Sequence, residues 1–162
     1  MIEAGDLVAF DTDLIGPYGF CADLSRTWLA GDGAPSDEQR ALYRIAADQV
    51  AYNMELLRPG LSFRDLWETA KSLPADCLPN RYGCLYHGVG LCDEYPTIPY
   101  RDDVEPDIPA DETLLPGMVL CVESYTGRLG GHEGVKLEEQ VLITETGFEK
   151  LSAYPLDARL NG

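Results

Sequence analysis

Positive charge is what this chain has least of. Only 12 lysines and arginines stand against 28 aspartates and glutamates, which leaves a formal charge of −16 at neutral pH. A surface so acidic repels phosphate backbones, so nucleic acid is not an expected partner. No apolar run approaches the roughly 18–20 residues that a membrane-crossing helix requires, so no membrane partner is expected either. The opening stretch MIEAGDLVAFD has neither a basic leading region nor an apolar block and does not read as a secretory leader. C-x-x-C spacing is also missing. Cys21, Cys77, Cys84, Cys92 and Cys121 form an odd set, which fits reduced thiols in a cytoplasmic protein rather than a disulfide framework. Their expected role is that of small buried hydrophobes. Internal repeats, low-complexity segments and linkers are absent, and 162 residues suffice for one domain with a core of its own.

Along the chain, Asp6 to Trp28 reads as a β-hairpin. Leu7 to Phe10 and Phe20 to Ala22 supply apolar strand residues around a Gly16-Pro17-Tyr18-Gly19 turn. Ser36 is a good helix N-cap, followed by Asp37 and Glu38 at the positive end of the helix dipole. Leu42, Ile45, Ala46, Gln49, Val50 and Asn53 recur at helical spacing until Arg58-Pro59-Gly60 ends the pattern. Ser62 caps a second helix expected to run to about Leu73. Pro74 to Pro116 reads mostly as loop, broken around Tyr86 to Leu91. Strands are expected over Met118 to Glu123 and Val135 to Thr144, joined by the glycine-rich stretch Gly127 to Gly134. The whole is one α+β unit.

Acids sit where apolar residues belong. Asp11, Asp13 and Asp23 interrupt the hairpin, and period-two alternation puts Asp11 and Asp13 on one strand face with Asp23 across the turn. Glu123 ends the apolar run MVLCVE, and Glu138 lies inside VKLEEQVLI. Several carboxylates buried together without a counter-charge cost several kcal/mol each, a penalty that divalent cations remove. Five embedded acids and one histidine, His87, in a glycine-rich segment therefore point to a metal site.

Asp11 and Asp23 with Ser25-Arg26-Thr27, then His87-Gly88-Val89-Gly90, then Gly117 to Glu123, then Lys136 to Thr144 resemble the ordered metal-ligand motifs of the creatinase/aminopeptidase P/prolidase, or pita-bread, metallopeptidase superfamily. The resemblance runs from about Gly5 to the C-terminus. It implies an α+β pita-bread fold, an antiparallel sheet with helices on one side. It also implies two divalent metal ions held by Asp11, Asp23, His87, Glu123 and Glu138. Oxygen ligands with one imidazole suit Fe, Mn, Co or Zn.

Within that superfamily, peptidases place further histidines near the metals, one form at seven residues past the metal histidine. Glu94 stands there instead, and the other histidine, His132, lies in the glycine-rich connection and reads as an exposed loop residue. Glu-Pro-Gly after the first metal glutamate is replaced by Glu123-Ser124-Tyr125. By contrast Phe10 to Gly16, Asp23 to Trp28, Tyr82-Gly83-Cys84, His87 to Glu94 and Tyr154 to Asp157 resemble the dimethylsulfoniopropionate lyases built on this fold. That resemblance implies Asp13 as a further metal ligand, Asp93 as general base and Tyr82 beside the sulfonium, with a small-molecule substrate. A Xaa-Pro peptidase is the second reading, and a non-catalytic remnant the third. The superfamily's catalytic domain has two related halves. The chain is therefore expected to be the C-terminal part of such a domain, weakly active or inactive by itself, from a longer parent that forms a homodimer.

Overall fold

Two long strands frame the molecule, and their alternation decides what faces what. A computed structural model describes residues 1–101 and 111–162. β7 (Val119–Thr126) and β8 (Val135–Ile143) run antiparallel, with Glu123 paired to Glu138 and Cys121 to Gln140. With side chains alternating, Cys121, Glu123, Lys136, Glu138 and Gln140 share one face, and Leu120, Val122, Leu137 and Val141 share the other. β5 (Cys84–Gly88) joins β7 on its far side, pairing His87 with Cys121, and so adds the imidazole to the acidic face. β6 (Thr97–Pro99) and β9 (Phe148–Lys150) complete a five-stranded sheet of order β6-β5-β7-β8-β9.

The apolar face is covered by α1 (Asp37–Glu55), which packs against β7 and β8. Ser36 and Gln39 form a reciprocal capping box at its start. Leu42, Tyr43, Ala46 and Val50 are buried on the side that joins the core. Gln49 and Asn53, at the same helical spacing, are also buried. Both hydrogen-bond the Lys71 backbone, Gln49 donating to its carbonyl (2.9 Å) and Asn53 accepting from its amide (2.8 Å). That capture explains why α2 (Phe63–Thr69), capped by Ser62 as expected, ends short of Leu73. Leu66 and Phe63 from α2 are buried in the same core. A short α3 (Ala158–Asn161) follows at the C-terminus.

The N-terminal hairpin differs from expectation in its pairing. β1 (Leu7–Phe10) pairs with β4 (Arg26–Leu29), while β2 (Leu14–Ile15) and β3 (Cys21–Ala22) form a smaller hairpin at the tip. The turn is where the sequence places it, at Pro17–Gly19. Between the two ladders the backbone leaves strand geometry at Asp11 to Asp13 and again at Asp23 to Ser25. β4 is stitched to β8: Glu138 N–H donates to Ser25 O, and Thr27 exchanges hydrogen bonds with the Lys136 backbone. β4 thus runs along the edge of β8, which brings the Asp11 and Asp23 segments next to the acidic residues of the sheet.

The loop expectation over 74–116 requires two changes: β5 begins at Cys84, ahead of Tyr86, and β6 lies within the stretch. Its part over 102–110 falls outside the described residues. Among the described residues no helix is long and apolar enough to cross a membrane. The five cysteines are free thiols; Cys77, Cys84 and Cys121 are buried as expected, whereas Cys92 is exposed.

Two substitutions separate local from tertiary stabilisation. Leu42→Ala, at a fully buried position, should destabilise by about 3 kcal/mol. Ser36→Ala should cost about 1 kcal/mol through the lost cap. Urea unfolding followed by circular dichroism measures both.

Candidate metal centre

Burial makes the acidic face exceptional. Asp23, His87, Glu123 and Glu138 are all at most 3% exposed, and Lys136 pairs with Glu123 and Glu138 among them. His87 Nε2 stands 3.0 Å from Glu123 Oε1, 3.4 Å from Glu138 Oε1 and 3.7 Å from Asp23 Oδ2. Among the described residues neither His87 Nε2 nor Glu138 Oε1 has a hydrogen-bond partner, although both are fully buried. An imidazole without a proton on Nε2 would aim a lone pair at three carboxylate oxygens, a repulsion that either a proton on Nε2 or a metal cation between them relieves.

The donor atoms also have the spacing a metal needs. One ligand atom from each of Asp23, His87, Cys121 and Glu138 lies within 4.8 Å of the others. The same holds for His87, Glu94 and Glu123, and for Asp13, Asp23 and Asp93. Carboxylate oxygens with one imidazole match the donor preferences of divalent first-row metals. These residues fit a metal centre.

Asp11 is engaged differently. Ser25 Oγ lies 2.6 Å from Asp11 Oδ1 and 2.7 Å from Glu138 Oε2. A hydroxyl carries one proton, so it serves one of the two carboxylates fully, and the other needs a second positive partner. Lys136 supplies charge there: its ammonium contacts Glu123, lies 3.2 Å from Asp11 Oδ2 and 3.9 Å from Glu138 Oε2. Lys136 and Ser25 received no role from the sequence. A lysine inside the apolar run VKLEE was the available signal, since lysine is seldom buried without partners.

Asp11 and Asp13 do not share a strand face. Both lie beyond the end of β1, where the chain is irregular, and Asp13 has a left-handed backbone (φ 36°). Asp11 consequently turns to Ser25 and Lys136, and Asp13 to the Asp23–Asp93 side. Asp93 lies with its Oδ1 4.0 Å from His87 Nδ1. Its loop is folded back onto β5 at Gly88, where any side chain would collide with the Tyr95 carbonyl at 2.3 Å. Tyr82 donates its hydroxyl to Glu94 Oε1 (2.5 Å), and its ring centroid is 4.1 Å from the Lys136 ammonium. His132 is exposed, in a pocket with Asn80, Arg81 and Tyr125, as its loop position implied.

Crowding of charge shifts the proton affinities. Burial, then repulsion from Glu138, Asp11 and Asp13, pushes Asp23 up to about 8. Burial would likewise raise Glu123, but His87 and Lys136 more than reverse it, leaving that carboxyl below its ordinary value. Asp11 is also lowered, with burial outweighed by Ser25 and Lys136. For His87 burial opposes the charge, yet Glu123 and Glu138 lift it to about 11. Lys136 is raised in the same way, mainly by Glu123 against its own burial. The Glu94 carboxylate, and then burial, raise the Tyr82 hydroxyl.

Metal binding must therefore displace protons. Affinity for a divalent ion, measured by titration calorimetry between pH 6 and 9, should rise with pH across the whole range, because Asp23 (about 8) and His87 (about 11) must both give up a proton to the solvent. Folded metal-free protein keeps a proton on Asp23 that the unfolded chain has already lost above its ordinary 3.8. Its stability should accordingly fall as pH rises from about 4 to about 8, with His87 adding a fall of the same sign above 6.5. Saturating metal should remove this fall. Glu138→Ala should abolish tight metal binding.

Comparison with known proteins gives the cluster a context. The model of Peptidase M24, metallopeptidase family M24, matches residues 1–145. The chain is 47% identical over 162 residues to a dimethylsulfoniopropionate lyase DddP of Roseovarius nubinhibens, covering all of this chain and 36% of that protein. It is 42% identical over 160 residues to the protein of the same name from Roseobacter denitrificans, covering 99% of this chain and again 36% of the relative. The solved prolidase of Pyrococcus horikoshii OT3 superposes with a TM-score of 0.76 at 27% identity, over 96% of this chain and 42% of that one. The chain thus spans little more than a third of the curated relatives it matches. Its architecture is the α+β pita-bread fold, with the sheet's helices on one side and the acidic residues on the other. With the family model matching nearly the whole length, this chain belongs to metallopeptidase family M24.

Proposed function

We propose that this chain carries the metal centre of a lyase that splits dimethylsulfoniopropionate into dimethyl sulfide and acrylate. Asp11, Asp13, Asp23, His87, Glu123 and Glu138 are the residues that would hold two divalent ions drawn from Fe, Mn, Co or Zn. When bound, such ions supply Lewis acidity toward the substrate carboxylate and the negative charge that develops beside it. The observation that carries the reading is the flank of the cluster. Asp93 lies among Asp13, Asp23 and His87, and the Tyr82 ring already faces an ammonium group.

The reaction is a β-elimination. Asp93 accepts the proton from the carbon next to the carboxylate. The C–H electron pair becomes the C=C bond, and the C–S pair leaves with sulfur as neutral dimethyl sulfide. The product is acrylate, and one proton remains on Asp93 for release to water. Tyr82 offers its ring face to the sulfonium, worth about 0.5–2 kcal/mol depending on desolvation. Half-exposed surroundings at Asp93, whose side chain is 27% accessible, leave a path for that proton to solvent.

A Xaa-Pro peptidase is the second reading, favoured by the superposition on the prolidase. Against it, His87 is the one imidazole in the cluster, since His132 lies exposed in its own pocket. By the lyase reading the chain is the C-terminal part of a longer cytoplasmic enzyme whose full-length parent is a homodimer. It acts on a small molecule and has no affinity for nucleic acid, in keeping with its charge of −16.

Headspace chromatography tests the assignment. Metal-loaded protein, extended where the relatives are longer, should release dimethyl sulfide. Asp93→Asn should lower that rate by at least about 100-fold while leaving metal content unchanged. Absence of dimethyl sulfide together with cleavage of a Xaa-Pro dipeptide would favour the peptidase. Absence of both would favour the remnant.

A further inference from the structure

Glu94 takes no part in the elimination as written, yet the chain is bent to present it. Its backbone lies in the left-handed region (φ 55°), which residues other than glycine seldom adopt without surrounding structure to hold them there. One of its carboxylate oxygens accepts the Tyr82 hydroxyl. Glu94 also lies within 4.8 Å of ligand atoms of His87 and Glu123, so its charge sits at the wall of the metal centre. The ring that Glu94 holds is the one carrying the Lys136 ammonium 4.1 Å from its centroid.

These contacts act together. A phenol that donates to a carboxylate has a more electron-rich ring than a free phenol, because the partly released proton leaves density on oxygen and ring. The carboxylate adds a full negative charge nearby. Both deepen the attraction of the ring face for a cation. A neutral amide or water as acceptor would give neither effect. Lys136 demonstrates that this face takes an ammonium, and the same lysine has Asp11 and Glu123 as alternative partners when another cation arrives.

We propose that Glu94, acting through Tyr82, is a specificity-determining residue that makes the site select small carboxylates ending in a permanent onium group, sulfonium and quaternary ammonium alike, over neutral groups of the same shape. This rests on reading the site as one for a small onium carboxylate. The direction is not trivial, since a permanent cation loses hydration on entering a pocket and a neutral tert-butyl group does not.

Calorimetry on the metal-loaded protein with two isosteres gives the test. 3-(Trimethylammonio)propanoate and 4,4-dimethylpentanoate have one shape and differ by nitrogen against carbon. The onium compound should bind about tenfold tighter. Compared at equal metal loading, checked by elemental analysis, Glu94→Gln should bring the ratio close to one while leaving the neutral compound's affinity unchanged, and Glu94→Asp should restore most of it. A merely structural role would weaken both compounds together. Equal binding of the isosteres, binding of neither, or a ratio unmoved by Glu94→Gln would overturn the proposal. Headspace measurement separates this from the lyase reading. Onium preference without dimethyl sulfide release sinks the lyase alone, and release without preference sinks the role of Glu94 alone.

Discussion

Mutual repulsion among buried carboxylates is the constraint on which the rest of this molecule depends. Glu123 and Glu138 face each other across a strand pair, Asp23 is buried beside them, and Asp11 is tied to both through Ser25 and Lys136. Water would solvate such charges at an exposed site. Burial excludes it from Asp23, Glu123 and Glu138, though not from the exposed Asp11, and the chain provides one buried lysine, one imidazole and one hydroxyl against them. The raised affinity of Asp23 and His87 for protons is the molecule's answer when only protons are available. Divalent cations resolve the same imbalance with less cost, because each brings two charges to a point that several oxygens can reach at once.

That burden is carried by a frame built from ordinary elements. α1 and the apolar face of β7 and β8 make a conventional core, with Leu42, Val50, Val122 and Leu137 in contact across it. The stability of this half offsets the strain of the other. Arg26 clamps the back of the site, donating to the Glu138 carbonyl at 2.6 Å and pairing with Glu139 at 2.7 Å. The strand that carries Glu138 is thereby held at its backbone and at the neighbouring Glu139 side chain. A ligand cluster on β-strands is more rigid than one on loops. His87, Glu123 and Glu138 lie on strands, whereas Asp93 and Glu94, for which substrate-facing roles are proposed, lie on a loop.

Much of this was legible in the sequence where local rules dominate. Ser36 and Ser62 cap helices because their hydroxyls meet backbone amides three residues on, a contact that needs no tertiary information. Glu123 and Glu138 were conspicuous as acids in apolar strands, and the structure brings them together with Asp23 and His87. The pairing of β1 with β4 was not legible. Asp11 to Asp13 reads as a continuation of the strand, and only contact with β8 and the sheet's acidic face turns it aside. The role of Lys136 was not legible for a related reason: its nearest carboxylates, on Asp11 and Glu123, come from segments more than ten residues away, and no local pattern distinguishes a snorkelling lysine from one drawn into a carboxylate cage. Family motifs, which record the outcome of such long-range packing, supplied what periodicity could not.

The chemistry proposed for this chain requires that the acidic face hold metal. Elemental analysis of purified protein, reconstituted with Fe, Mn, Co or Zn and freed of loosely bound ions, measures this directly. The account predicts about two divalent ions per chain, falling toward zero in Glu138→Ala. Soluble, folded wild-type protein that retains no metal would contradict it, and would mean that Lys136, Ser25 and bound protons alone balance the cluster.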